Sequence, residues 1–371
     1  MALDLASLAR RFAQFAEHEV TDDPLYAALC RHVAASPALL TLMQHAPPTQ
    51  RVPNLLLAAV HDRVLAGVPH ALREYFPSVG GSRAPDADLA ATFDHFVGAQ
   101  RDALRTALAM RHTQTNEIGR CAVLWPVLCA LAQRRGRARI ALFDFGCSAG
   151  LNLGVDDYRY DYGAFTLGAA GADVPVIACH VVGDAGALQR LVTQAPQIVA
   201  RIGVDPAAVD VRDDAQVRWL RACIWPYDRT RLARLDGAVE LARRRGATVR
   251  RCADGLVALE PWLDGLPPDV LPVVLNSWVL HYFERTARLL HIEAMRALVQ
   301  RRGIAWLSAE GPHIAIGEAL PARGGDAQVS DEQLAQGSLW WLTVAGAPAA
   351  QPSSMLWARS HPHGRWLQWF G

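Results

Sequence analysis

The sequence predicts an α/β protein in which an all-helical N-terminal domain precedes a mostly parallel sheet. Residues 1–135 carry apolar residues at helical spacing, and an apolar run that begins at Ile140 ends in a glycine-rich turn. Strand-like and helical runs alternate from there towards the C-terminus, which is typical of a parallel sheet. We therefore expect two domains, a helical cap over 1–135 and an α/β domain over 136–371.

Composition allows a large core and excludes several classes of protein. Of the 371 residues 51% are hydrophobic, and the net charge of +1 gives no indication of a nucleic-acid-binding surface. All 37 basic residues are arginines, so the lysine of P-loops, pyridoxal enzymes and kinases is missing. The 7 cysteines form no C-x-x-C pair, and no His/Cys group has zinc spacing. We expect free thiols, no metal, and a cytoplasmic protein without a membrane or nucleic-acid partner.

The helical domain is predicted from its apolar periodicity. Long helices are expected over 88–110 and 116–133, after three shorter ones near residues 5–15, 25–33 and 39–43. Beyond the first glycine turn, helices are expected over 216–245 and 284–302. Strands are expected at 174–182, 197–205, 248–252, 270–276, 304–310, 339–344 and 354–359, the last two as an antiparallel pair. The segment at about 156–196 is then an insertion between the first strand and the strand at 197–205.

The glycine turn carries the most chemical information. The apolar run ends in Asp144, and Gly146 and Gly150 then flank Cys147 and Ser148. This pattern predicts a buried strand, a tight turn and a helix whose N–H groups face a ligand. A carboxylate beside such a turn suits a cationic or hydroxyl-bearing ligand rather than a phosphate.

Three kinds of site could use this turn. A dinucleotide fingerprint fails, because Ser148 and Leu151 stand where glycines are needed. Gly146-Cys-Ser-Ala-Gly150 also spells the Gly-x-Ser-x-Gly nucleophile elbow of serine hydrolases, although no strands are predicted upstream of Ile140 as that fold requires. The third kind is a turn that holds a nucleoside cofactor. A turn without any ligand is the structural alternative.

Residues 143–150 resemble the glycine motif Asp/Glu-x-Gly-x-x-x-Gly of class I S-adenosylmethionine-dependent methyltransferases. The resemblance implies a Rossmann-like seven-stranded sheet that ends in a hairpin, and S-adenosylmethionine as cofactor. It implies that the acid at the end of the first strand faces the amino group of the cofactor. The cofactor-binding residues would then include Asp144, Gly146, Cys147, Ser148, Gly150 and Asn152.

Later strand ends supply further candidates for the cofactor site. Asp205 is expected to hold the ribose hydroxyls, with Asp184 as the alternative. Asp254 resembles the acid that meets the adenine amino group, or it caps the next helix. Asn276 and Ser277 end the strand where such folds place residues near the reacting methyl group.

The sequence contains four distinctive blocks: Gln114–Arg120, Ser148–Asn152 with Tyr158–Tyr160, Trp219-Leu220 with Trp225-Pro226, and Ser277–Tyr282. Together they resemble the uncharacterised bacterial family DUF2332 over nearly the whole chain. The family is placed with the methyltransferase-like fold, which implies no particular substrate. The chain has Asn276 where that family more often has histidine.

Glu117 and Arg120 are three residues apart, so on a helix they share one face. We expect them to close the pocket, with Asn116 and Arg120 contacting substrate, although Asn116 would otherwise serve as a helix cap. Glu117, His281 and Tyr282 are the candidate catalytic bases. The predicted reaction is methyl transfer to O, N or C of a small molecule in an enclosed pocket. A serine hydrolase using Ser148 and an inactive cofactor-binding scaffold remain alternatives, and the methyl acceptor and oligomeric state stay open.

Overall fold

The computed structural model describes residues 4–171, 173–192, 194–246, 249–314, 336–346 and 351–371. They form two compact units, one of residues up to Asn116 together with Arg212–Asp236, the other of Glu117–Val211 together with Gly237–Gly371. The boundary predicted at 135 thus falls inside the second unit. The reason is the helix Cys121–Arg134, whose residues Cys121–Ala132 are all buried and which packs on strand Ser353–Ser360 of the sheet.

The helical unit is built from short helices punctuated by proline. The helix predicted over 88–110 is broken at Gln100, and the one predicted over 216–245 is broken around Trp225-Pro226, where proline removes a backbone donor. The α-helices of this unit are α1 (Leu5–His18), α2 (Pro24–Ala35), α3 (Pro37–Thr41), α4 (Pro53–Leu65), α5 (Leu89–Ala99), α6 (Arg101–Met110), α9 (Asp214–Ala222) and the first part of α10 (Arg229–Arg245).

The segment Arg212–Asp236, which comes later in the chain, is part of this helical core. Trp219 of α9 is buried in the same apolar cluster as Phe12 and Phe93, and its indole donates a hydrogen bond to the carbonyl of His112 at 2.9 Å. Buried Asp23 caps α2 through Tyr26 and also accepts from the N–H of Tyr227. Within the described ranges, no single helix combines the length and apolarity needed to cross a membrane, whereas α2 and the stretch Pro37–His45, bent by 91°, meet both criteria only as a pair.

The α/β unit holds one large sheet and one small sheet. Its helices are α7 (Cys121–Arg134), α8 (Ala185–Leu191), the end of α10, α11 (Gly255–Asp264) and α12 (Arg285–Arg302). Its strands are β1 (Arg139–Phe145), β2 (Arg159–Asp161), β3 (Thr166–Gly168), β4 (Val176–Ala178), β5 (His180–Val182), β6 (Gln197–Asp205), β7 (Val249–Arg251), β8 (Leu271–Ser277), β9 (Ala305–Glu310), β10 (Ser338–Val344), β11 (Ser353–Ser360) and β12 (Trp366–Trp369).

Nine strands form the large sheet of the described chain, in the order β5-β12-β11-β10-β9-β8-β1-β6-β7. Strands β7, β6, β1, β8 and β9 are parallel, and β9, β10, β11 and β12 are successively antiparallel. The sheet is therefore mixed, with the predicted antiparallel pair β10–β11 confirmed, but it has two more strands than the seven expected.

The insertion between β1 and β6 supplies β5, the strand at one edge of the large sheet. The run at 174–182, predicted as one strand, divides at Cys179: β4 joins the small sheet β3-β2-β4, and β5 pairs with β12 at the rim of the large sheet. Strand periodicity gives no information on which partner each half will choose.

The chain reverses its direction of travel at the centre of the large sheet. From β1 it continues to β6 and β7 on one side, and it returns to place β8 and then β9 on the other side of β1. The carboxyl ends of β1 and β8 therefore flank a topological switch point, the position where open α/β sheets form a ligand-binding crevice.

Candidate functional site

Two residues with strained backbone mark this switch point. Among the described residues, Ser148 (φ 52°) and Trp278 (φ 57°) are the non-glycine residues with positive φ. One lies in the loop after β1 and the other directly follows β8. Such strain costs of order 1–3 kcal/mol and concentrates at functional sites.

The glycines after β1 are required for packing of the loop. At Gly146 (φ 73°) an added Cβ would lie 2.5 Å from a methyl carbon of Val279, and at Gly150 (φ 66°) it would lie 2.5 Å from one of Val249. The amides of Gly146 and Cys147 both donate to the carbonyl of Val204. The loop is thus held against its neighbours on both sides, and this packing is a reason for the glycines that the sequence did not reveal.

The helix predicted after the loop is instead a single 3-10 turn, Leu151–Gly154. The chain then enters β2 of the small sheet. A turn this short provides no helix terminus to face a ligand. The amides of residues 146–148 and 150 already donate within the protein, so any ligand here would be held by the surrounding side chains. The strand–turn–helix arrangement of a serine-hydrolase elbow is also incomplete at Ser148.

Asp144 is the most unusual group at this edge. It is 1% exposed, and its Oδ2 has no hydrogen-bond partner within the described part of the chain. Burial, reinforced by the charge of Asp205, raises its pKa to about 8, against the opposing effects of a hydrogen bond from Asn152 and the charge of Arg120. A buried carboxyl with one oxygen left open suits a cationic partner.

Asp205 ends β6 beside the same loop. Its Oδ2 accepts from the N–H of Ser148 at 2.8 Å and its Oδ1 from the N–H of Ala207 at 2.7 Å. The alternative acid, Asp184, is the exposed N-cap of α8 beyond β5, six strand positions from β1 or about 29 Å at the usual strand spacing. Of the two acids, Asp205 is the one that contacts the loop. Asp254, proposed for adenine, is exposed and caps α11 through the N–H of Leu256.

The segment before α7 contributes a buried ion-rich turn. Glu117 caps the 3-10 turn Ile118–Arg120 and Arg120 ends it, so the two do not share the face of an α-helix as expected. Glu117 is 3% exposed and accepts from the N–H of Gly119 at 2.8 Å. Arg120 donates to the carbonyl of Ser277 at 3.3 Å and to its hydroxyl at 3.2 Å, which places this cation at the end of β8.

The carboxylates of Asp144 and Glu117 have a common neighbour, the thiol of Cys121. The Cys121 thiol has its pKa raised well above its usual value by burial and then by the charges of Asp144 and Glu117. Asp144 in turn feels the charges of Asp205 and of Arg120, which oppose each other. Asn116, the other expected substrate contact, is the last residue of its segment of the helical unit.

Asn276 is engaged within the protein on both sides of its amide. Its Nδ2 donates to Ser308 at 2.9 Å and to Glu310 at 2.8 Å, and its Oδ1 accepts from the Trp306 indole at 2.7 Å. Glu310 was not among the residues selected from the sequence. The available signal was its position as an acid that ends an apolar strand, as Asp205 does and Asp144 nearly does.

His281 and Tyr282 lie in the turn that follows β8. His281 Nδ1 is 3.9 Å from Oε2 of Glu310, and the two ring centroids of His281 and Tyr282 are 3.9 Å apart. Tyr282 is 52% exposed, whereas Glu310 is 1% exposed. The turn therefore places an imidazole between a buried carboxylate and an accessible phenol.

A separate cavity lies away from these residues. It has a volume of about 600 Å³ and is lined by Arg201, Arg245 and Asp157 among others, but by none of the predicted site residues. Arg201 is paired with Asp156, and Arg245 with Asp157. The cavity therefore does not add to the cluster at the switch point.

Comparison with known proteins gives one family. A family model described as an uncharacterized protein conserved in bacteria (DUF2332) matches residues 9–369. No curated protein matches the chain.

Proposed function

We propose that this chain, which belongs to the DUF2332 family, is an S-adenosylmethionine-dependent methyltransferase that acts on a small molecule. The observation that carries the proposal is the open Oδ2 of buried Asp144, which lies beside a glycine loop at the switch point of a parallel sheet. A carboxyl in this position needs a positive partner to be charged, and the cofactor offers an ammonium and a sulfonium.

The side chains around the loop fit the remaining groups of this cofactor. Asp205 uses one lone pair on each oxygen for Ser148 and Ala207, which leaves acceptor capacity for ribose hydroxyls. The Arg120 guanidinium suits the carboxylate of the methionine part. Ser277 holds Arg120 in place.

S-adenosylmethionine, when bound, supplies a methyl group made electrophilic by its sulfonium. The chain's own contribution is alignment of the acceptor and exclusion of water from the reacting atoms. Asp144 and Glu117 favour a cation at the cleft. The candidate bases at its other side are His281 and Tyr282.

Calorimetric titration of the full chain with S-adenosylmethionine and S-adenosylhomocysteine tests the proposal. We expect saturable one-to-one binding of both, with S-adenosylmethionine favoured because it alone carries the sulfonium charge. Absence of heat and of any thermal stabilisation at millimolar concentrations of both would contradict it, since a ligand that binds the native state must stabilise it.

One observation favours a second candidate, a serine hydrolase. Ser148 combines a Gly-x-Ser-x-Gly sequence with a left-handed backbone, as a nucleophile elbow does. Against it, β1 is the first strand of the described chain and a 3-10 turn follows the loop. A fluorophosphonate probe distinguishes the two: labelling of Ser148 supports the hydrolase, and an unlabelled protein that binds S-adenosylmethionine supports the methyltransferase. Binding without turnover over a broad panel of acceptors would instead indicate an inactive scaffold.

A further inference from the structure

Glu310 at the end of β9 and His281 after β8 face each other across a short gap. Nδ1 of His281 and Oε2 of Glu310 are 3.9 Å apart. Both atoms are buried, and neither has a hydrogen-bond partner among the residues that the structure describes. The gap exceeds a hydrogen bond by less than 1 Å, and catalytic hydrogen bonds are often this long before substrate binds.

The carboxylate of Glu310 is fixed on its other side. Oε1 accepts from Nδ2 of Asn276 at 2.8 Å, from the N–H of Val279 at 2.9 Å and from the N–H of Leu280 at 3.1 Å. Three donors on one oxygen prevent the carboxylate from turning away. Oε2 therefore stays directed towards the imidazole of His281.

The strained residue Trp278 makes this arrangement possible. Its left-handed backbone (φ 57°) turns the chain directly after β8, so that the next two amides reach Glu310. Its own N–H donates to the carbonyl of Ala309, and its indole donates to Ser338 at 2.7 Å. The indole also packs edge-on against the His281 ring, at 5.6 Å between centroids. The strained backbone of Trp278 thus brings the turn after β8 into contact with Glu310 at the end of β9.

A second histidine near Glu310, His291, carries no positive charge that could pair with this carboxylate. His291 on α12 is buried, and burial lowers its pKa to about 4 although the charges of Asp254 and Glu310 oppose this effect. It is therefore neutral at pH 7. The His281 side chain is 27% exposed while its Nδ1 is buried, so the exposed part of the side chain does not include the nitrogen that faces Glu310.

We propose that Glu310 is a positioning residue that keeps the His281 proton on Nδ1, so that Nε2 is the catalytic base. This inference rests on the proposed methyl transfer and specifies the acceptor: a hydroxyl or amine whose nucleophilic atom carries a proton. That proton passes to Nε2 of His281, and the electron pair it leaves forms the bond to the methyl carbon. The carbon–sulfur electron pair stays with the departing thioether, and His281 then releases the proton to solvent.

The tautomer of His281 can be measured without any substrate. We would record long-range ¹H–¹⁵N spectra of the imidazoles in the full chain labelled with ¹⁵N-histidine, and assign His281 from its absence in His281→Gln. The wild type should show the proton on Nδ1 and a bare Nε2. In Glu310→Gln an amide N–H can face Nδ1, so the proton should move to Nε2; Tyr282→Phe, the matched control in the same turn, should leave the tautomer unchanged.

A proton on Nε2 in the wild type would overturn the proposal, and this result does not depend on whether the Glu310 variant folds. An unchanged tautomer in folded Glu310→Gln would overturn it as well. Calorimetry then separates the roles: S-adenosylhomocysteine affinity should stay within about twofold in Glu310→Gln, and a loss of tenfold or more would mean that Glu310 shapes the cofactor cleft instead. Failure of the wild type to bind either cofactor form would refute the methyltransferase proposal, whereas the tautomer result would still stand by itself.

Discussion

The loops after β1 and β8 are built on the same plan and differ in what their carboxylates face. Each follows a buried parallel strand and contains one non-glycine residue with left-handed backbone, Ser148 or Trp278. After β1, Asp144 keeps an oxygen without a protein partner and has a raised pKa. The loop after β8 instead faces Glu310 at the end of β9, which has one oxygen saturated by three donors and the other directed at His281.

This difference shows that a loop with one left-handed non-glycine residue can serve two chemical purposes. An unpaired buried carboxyl is costly unless a cation arrives, so the first loop is suited to a charged ligand. A clamped carboxylate opposite an imidazole is suited to orienting a proton. The loops meet where Gly146 contacts Val279, so the comparison can be tested at their contact and in each loop separately.

The largest expected effect is at the contact between the loops. In Gly146→Ala the new Cβ would lie 2.5 and 2.6 Å from the two methyl carbons of Val279, at a φ of 73°. We expect a loss of about 3 kcal/mol in the free energy of unfolding, measured by urea denaturation. Gly163→Ala, with a φ of 80° and no atom within 4 Å, is the matched control and should cost about 1 kcal/mol.

A double variant makes this test decisive. Val279→Ala removes the methyl groups that collide, so Gly146→Ala should cost less in its presence, with a coupling of about 1 kcal/mol or more. Additive costs would mean that the two loops are not in contact at this position.

The second prediction concerns Asp144 and its pH dependence. Asp144→Asn should weaken binding of S-adenosylmethionine at pH 8 at least tenfold, about 1.4 kcal/mol. Because the pKa of Asp144 is raised to about 8 in the folded chain, the wild type must release a proton on binding below that pH. Its affinity should therefore fall by up to tenfold per pH unit below 8, whereas the variant should show no such dependence.

Stability should change in the opposite sense to affinity. A carboxyl with a raised folded-state pKa stabilises the unliganded protein when protonated, and this contribution disappears as the pH rises from about 4 to about 8. Asp144→Asn should remove that decline. Asp184→Asn, at the far rim of the sheet, is the control and should leave binding unchanged. An equal loss of affinity in both variants would contradict the assignment of Asp144 to the cofactor site.

The smallest expected effect is at Glu117. Glu117→Gln keeps an oxygen for the N–H of Gly119 but removes the charge. Binding of S-adenosylmethionine should weaken about fivefold, or about 1 kcal/mol, with a nearly unchanged melting temperature. Glu117→Ala should lower the melting temperature as well, because the turn loses its cap. Collapse of the fold in Glu117→Gln would show that the carboxylate is structural.

Elements whose apolar pattern is complete could be predicted closely from the sequence. Strand β6 has the bounds Gln197–Asp205 that its apolar run indicates, and β1, β8 and β9 differ by a residue or so. Strands β1, β8 and β9 are buried on both faces, so their burial signal is nearly continuous. The breaks at Gln100 and at Trp225-Pro226 were missed, because apolar periodicity continues across them.

The chemistry of the candidate site was only partly predictable, for a physical reason. The loop after β1 is local in sequence, so Asp144, Ser148 and their glycines could be recognised together. Glu310 acquires its environment from Asn276, Val279 and Leu280, some thirty residues earlier in the chain. Contacts of this kind depend on which strands become neighbours, and a single sequence does not specify that.

The rim of the large sheet has a kinetic consequence. There His180–Val182 of the insertion pairs with Trp366–Gln368 near the C-terminus, which closes a very long chain loop. Bringing distant segments together costs more entropy than pairing near ones. We therefore expect this outer ladder to be the slowest part of the sheet to form.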